Sequence, residues 1–85
     1  MRVYRVRISI SFDGVVSDRM ESGDIVDIAG VTYVSQYAGS LLEKRDSAWF
    51  PDINAAKLAA ALKIQGIADE AMKVAERLRD EVHRA

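Results

Sequence analysis

The chain has 85 residues with no cysteine, one histidine, and 12 Lys plus Arg against 13 Asp plus Glu, a formal charge of −1. Disulfides, thiolate metal sites and thiol nucleophiles are thereby excluded, and the interleaved, balanced charge argues against both nonspecific nucleic-acid binding and DNA mimicry. No stretch approaches the roughly 20 apolar residues of a membrane span, and arginines interrupt the first apolar run where a signal peptide has an unbroken core, so a cytoplasmic protein is the expectation.

A chain this short makes one domain, residues 1–85, that buries only a modest fraction of its surface. Without disulfides, oligomerisation is the common remaining source of stability. From Tyr4 to Phe12 the sequence alternates. Tyr4, Val6, Ile8, Ile10 and Phe12 fall on one face, and Arg5, Arg7, Ser9 and Ser11 on the other. That period predicts a half-buried strand with one face on a core and the other toward water or a partner. Asp13-Gly14 supplies turn chemistry, Val15 and Val16 begin a returning strand, and the polar stretch Ser17 to Asp24 reads as a loop. Gly23 to Val34 reads as a hairpin with Gly30 in its turn. Ala29 favours a loop slightly longer than two residues, with Gly30 left-handed. Ala38-Gly39-Ser40 marks a break, and Leu41 to Arg45 fits either a short strand or a helical turn. Pro51 disfavours helical geometry at Phe50, so an extended approach to the next element is expected.

Asp52 then stands as an N-cap. From there to Arg84 no proline interrupts a helical pattern about 50 Å long at 1.5 Å per residue, far beyond the radius of gyration of about 12 Å expected for this length. Such a helix folds back, overhangs the domain or packs on another chain. Ala60, Ile64, Ile67, Ala71, Val74 and Leu78 form a four-three seam suited to packing on another helix. Leu58 to Leu62 are apolar nearly all round, which predicts burial on two sides. Asp69 with Lys73 and Asp80 with Arg84 are expected as i,i+4 pairs on the solvated face. Gly66 costs roughly 1 kcal/mol against alanine. Because the seam keeps its register across Gly66, one helix is preferred, with a bend or break there as the open alternative.

No arrangement of residues carries recognisable catalytic chemistry. His83 lies near the carboxyl terminus, where it favours the helix dipole. Asp13, Asp18, Glu21, Asp24 and Asp27 lack the spacing of a calcium loop, and the glycines form no phosphate-binding loop. Arg5 and Arg7, two positions apart on one strand face, suit a clamp for a carboxylate or phosphate, with Tyr33, Tyr37 or a second protomer as walls. The competing reading is that they solubilise an open face or pair with cross-strand acids. Trp49 and Phe50 serve either as binding anchors or as core packing beneath the helix.

The expected architecture is α+β. A small antiparallel sheet of three to four strands within residues 1–50 is followed by one long C-terminal helix over residues 52–84. The leading functional expectation is a non-catalytic protein-interaction module, an adaptor or small inhibitor, without cofactor or metal. It would form a homodimer through Ile64, Ile67, Ala71, Val74 and Leu78 and contact a larger protein. The alternative is a protein that captures a small anionic ligand such as a nucleotide with Arg5 and Arg7, walled by Tyr33, Tyr37 or Trp49.

Overall fold

The structure of the chain, a computed structural model, describes residues 1–84. Four antiparallel strands, β1 (Arg2–Ile10), β2 (Val16–Ile28), β3 (Val31–Gln36) and β4 (Leu41–Lys44), form one sheet in the order of the sequence. A single helix, α1 (Ile53–Arg84), follows. This is the expected α+β arrangement, and α1 is continuous through Gly66.

Local chemistry accounts for the turns. Ser11 to Gly14 closes the first hairpin, with the Gly14 amide donating to the Ser11 carbonyl at 3.0 Å and Gly14 at φ 85°. The second hairpin departs from expectation. Ile28 pairs directly with Val31, and Ala29 and Gly30 both take positive φ, 51° and 81°. That is the two-residue mirror-image turn whose twist matches the strands, and Ala29 accepts the left-handed conformation to keep the register. Tyr37, Ala38 and Gly39, at φ 52°, 54° and 90°, carry the chain from β3 to β4. Leu41 to Lys44 is a strand rather than a helical turn.

The largest difference from the sequence reading is β2. Ser17 to Asp24 is not a loop; it is the middle of a 13-residue strand paired with β1 from Ile10↔Val16 to Arg2↔Asp24. Part of its polar character has a structural cause, because Glu21 and Asp24 stand opposite arginines of β1, Arg5 and Arg2, although Asp18 stands opposite Ile8. Arg5 stands opposite Glu21 and Arg7 opposite Arg19.

The two faces of the sheet also divide differently from what alternation implied. Val3, Val34 and Trp49 form the buried core, with Ile25 packed against them. By the ladder register, Val3, Arg5, Glu21, Gly23, Ile25, Val34 and Glu43 share one face, and the segment after β4 lays Trp49 on it. Phe50 then makes an antiparallel bridge to the outer edge of β1, exchanging hydrogen bonds with Tyr4 at 2.7 and 2.8 Å. The face expected to meet the core carries Tyr4, Val6 and Ile8 half-buried, while Ile10 and Phe12 are exposed.

Asp52 caps α1 as expected, its Oδ2 accepting from the Ala55 amide at 3.0 Å and its carbonyl from the Ala56 amide at 3.1 Å. Ala56 and Ala60 are buried against the side of β1. The two-sided burial expected for Leu58 to Leu62 is absent within the single chain, where Leu58 and Leu62 are both exposed. Only one side of the helix meets the sheet. On the solvated face, Lys73 pairs with Glu70 at 3.1 Å and Arg77 with Glu81 at 3.7 Å, in place of the expected Asp69–Lys73 and Asp80–Arg84 pairs. Asp69 accepts instead from Gln65 Nε2 at 3.0 Å. Among the described residues no helix is long and apolar enough to cross a membrane.

Gly23 is fixed by close packing. A Cβ there would stand 2.5 Å from Val34 Cγ1 and 2.8 Å from the Ser35 carbonyl oxygen, the latter being backbone that cannot swing away. Gly23→Ala is expected to destabilise the fold by about 1–3 kcal/mol through overpacking. Urea unfolding monitored at Trp49 should show the midpoint fall without a large change in slope.

Candidate interaction surface

Three surfaces bear on function: the polar cluster around Arg5, the apolar underside formed by sheet and helix, and the cleft between β1 and α1. The first is structural. Arg5 is 9% exposed. Its Nε donates to Glu21 Oε1 at 3.0 Å, and its Nη2 lies 2.9 Å from both Glu21 Oε1 and Glu43 Oε2, ionic contacts off the hydrogen-bond axis. Trp49, in the position opposite Arg5 when the Phe50 bridge is extended by one residue, stacks on the guanidinium with its ring centroid 4.2 Å from Cζ. A cation held this way over an indole contributes about 0.5–2 kcal/mol. Arg7 Nε donates to the same Glu21 oxygen at 3.1 Å.

The electrostatics follow from these contacts. Burial by itself lowers the pKa of Arg5, but its contacts with Glu43 and Glu21 and their negative charges outweigh that, leaving it raised. For Glu21 burial works to raise the value, while hydrogen bonds from Arg5 and Arg7 and their positive charges prevail and hold the carboxyl below 4.5. Asp13 is lowered as well, chiefly by the Ser11 hydroxyl. The buried indole Nε1 of Trp49 and Oε1 of Gln36 have no partner among the described residues.

Arg5 is therefore committed to two carboxylates and a ring, and Arg5 with Arg7 does not form the open anion clamp that their spacing suggested. Nor do Tyr33 and Tyr37 wall it. Tyr33 pairs with Val26 on the opposite face of the sheet, and Tyr37 accepts a hydrogen bond from Arg19 Nη2 at 2.9 Å. Trp49 lies in the core. What the alternation could not reveal is that Glu21 and Glu43, on two other strands, converge on the same guanidinium.

The second surface is apolar and open. The sheet face opposite the Arg5 cluster presents Ile10, Val16, Met20, Val26, Ile28 and Leu42, all exposed. The helical seam meets this face only at one end. Ile64, Ile67 and Ala71 line an apolar cleft of about 240 Å³ with Ile10 and Val16. Beyond it Val74 and Leu78 continue the stripe past the sheet, 46% and 50% exposed. The helix and sheet thus bound one elbow-shaped apolar surface.

The third surface is a cleft of about 290 Å³ where the first turns of α1 run beside the outer edge of β1. Val6, Ile8 and Phe50 line it with Ala56, Ala59 and Ala60, Arg5, Arg7 and Lys63 contribute cations, and Ser47 and Ala48 close it where the chain approaches Phe50. Among the described residues no group of three or more His, Cys, Asp or Glu side chains is placed to share a metal ion. No protein-family model, no curated protein and no solved structure matches this chain.

Removing Glu21 leaves Arg5 buried with half its counter-charge, a loss of about 3–5 kcal/mol for a broken buried pair. Glu21→Gln should accordingly lower the melting temperature. Because the folded carboxyl titrates below its ordinary value, its contribution is fully present above about pH 4.5 and is lost as pH falls through the folded value. Melting curves from pH 7 to 3 are expected to show a steeper acid limb in the unmodified protein than in Glu21→Gln, and parallel limbs would contradict the assignment.

Proposed function

We propose that the protein is a non-catalytic interaction module that works as a homodimer assembled through the carboxyl-terminal part of α1. The supporting observation is a continuous apolar stripe left uncovered on a chain that exposes more surface than a compact one. The chain exposes 6475 Å², whereas a compact monomer of 9.4 kDa exposes about 5,000 Å². The excess of about 1,500 Å², polar and apolar surface together, is nearly twice the 800 Å² per partner of a standard interface. Its shape agrees, with extents of 61 × 24 × 21 Å and a radius of gyration of 18.1 Å against about 12 Å for a compact chain of this length.

Scattered exposed apolar residues need no partner, but a continuous stripe joined to an apolar sheet face does. Ile67, Val74 and Leu78 lie on one side of the helix with exposures of 41%, 46% and 50%, and four-three spacing suits a second copy of the same helix. A two-fold arrangement uses the same stripe twice and closes without leaving an open end. In the dimer the Arg5 cluster keeps its structural role, and the remaining sheet face and cleft are left for another protein. The adaptor or inhibitor reading rests on this division.

Ile67→Asp and Leu78→Asp place a charge in the stripe while leaving the core of Val3, Val34 and Trp49 untouched. Each is expected to shift sedimentation equilibrium toward the monomer by at least tenfold in dissociation constant, about 1.4 kcal/mol, with an unchanged circular dichroism spectrum at high concentration. An unchanged dissociation constant in both variants would remove the helix stripe from the interface.

A further inference from the structure

The open edge of β1 beside α1 has the features of a peptide-binding groove. In β1 the odd-numbered residues turn their backbone groups toward β2, as the Ser11 amide to Val15 carbonyl bond at 2.9 Å and the Met1 carbonyl to Ile25 amide bond at 2.9 Å show. The even-numbered residues turn theirs outward, and Tyr4 spends both groups on Phe50. Val6 and Ile8 therefore direct an N–H and a C=O each to the outer edge, and no hydrogen bond among the described residues reaches them. In the antiparallel register set by Tyr4 and Phe50, Ala48 would stand opposite Val6. The chain instead turns away there, the Ala48 amide donating to Asp46 Oδ1 at 2.9 Å. The ladder begun by Phe50 stops with two further rungs unpaired, and the 290 Å³ cleft lies along them.

We propose that this groove accepts an extended segment of another protein as an added antiparallel strand, with the side-chain pattern apolar, acidic, apolar. The inference is independent of the self-association proposed above, since it uses the first turns of α1 rather than the stripe from Ile67 to Leu78. Added strands bind through main-chain hydrogen bonds and draw specificity from alternate side chains. The pattern follows from register. Segment residues opposite Val6 and Ile8 share their face of the sheet, where Ala59 and Ala60 wall the cleft and leave room for small apolar side chains. The residue between them stands opposite Arg7 on the other face, where a carboxylate makes a favourable cross-strand pair. Arg7 is more than half exposed, and its hydrogen bond to Glu21 uses Nε, leaving the outer guanidinium nitrogens free. Lys63 adds a second cation, and no acidic side chain lines the cleft.

The test uses the full chain labelled with nitrogen-15 and a capped peptide with the core Val-Glu-Val. Saturable shifts are expected at the amides of Val6, Ile8 and Lys63, with slowed hydrogen exchange at Val6 and Ile8. A Val-Lys-Val peptide, and a Val-Glu-Val peptide methylated on both valine nitrogens, should each bind at least tenfold more weakly. Arg7→Glu should reverse the preference between the glutamate and lysine peptides. Ala59→Phe, which fills the groove without changing charge, should abolish binding of both, and its melting temperature checks that it folds. Equal binding by the methylated peptide, indifference to the central charge, shifts confined to the Ile67–Leu78 stripe, or no saturation at millimolar peptide would each overturn the proposal.

Discussion

The fold depends on how one buried cation is neutralised. Arg5 sits among β1, β2, β4 and the segment leading to the helix, held by Glu21, Glu43 and the ring of Trp49. An isolated charge there would cost several kcal/mol, which the two carboxylates and the ring offset, although Arg5 Nη2 meets Glu21 and Glu43 off the hydrogen-bond axis. The consequence is architectural. Trp49 can stack on Arg5 only if the chain crosses the sheet after β4, and that crossing brings Phe50 to the edge of β1 and starts α1 beside it. The start of the helix, and with it the place of both surfaces proposed for binding, follows from the position of this guanidinium.

The second constraint is length. A helix of 32 residues spans about 48 Å, and a small four-stranded sheet can cover only its first half. Ala56 and Ala60 allow close approach to β1, Ile64 reaches the last covered position, and the seam then continues without a floor. The hydrophobic effect scales with apolar area removed from water, so the uncovered stripe and sheet face form a reservoir of binding free energy that the isolated chain leaves unused. The open edge of β1 is a different kind of incompleteness, in hydrogen bonds rather than apolar area. An edge strand is normally blunted by charge, proline or a covering element. Here α1 covers its flank but pairs with none of its backbone.

Much of this was legible in the sequence, and the exceptions share a cause. The strand read at Tyr4 to Phe12, which the structure ends at Ile10, the turn at Asp13-Gly14, the Asp52 cap and the continuity of the helix across Gly66 are written in local periodicity and local chemistry. β2 was not, because its middle residues answer to neighbours across the ladder: Glu21 is polar because Arg5 and Arg7 face it, and Gly23 is small because Val34 needs its place. The left-handed Ala29 was hidden for the same reason, since the register of two strands overrode the preference of one residue. As for the sites, spacing marked Arg5 and Arg7 as a pair but could not show that Glu43, almost forty residues away, neutralises one and leaves the other at a groove. The groove depends on where Ala48 leaves the edge, which is decided by the Asp46 turn and has no periodic signature.

What decides the role of this apolar surface is whether a second copy covers it. Absolute molar mass by light scattering, followed from high to very low concentration, addresses it most directly. A dimer built on the stripe has a mass of about twice 9.4 kDa that falls to the monomer value only on strong dilution. A mass of 9.4 kDa at every concentration would contradict it, and would mean that the stripe on α1 is reserved for a different protein.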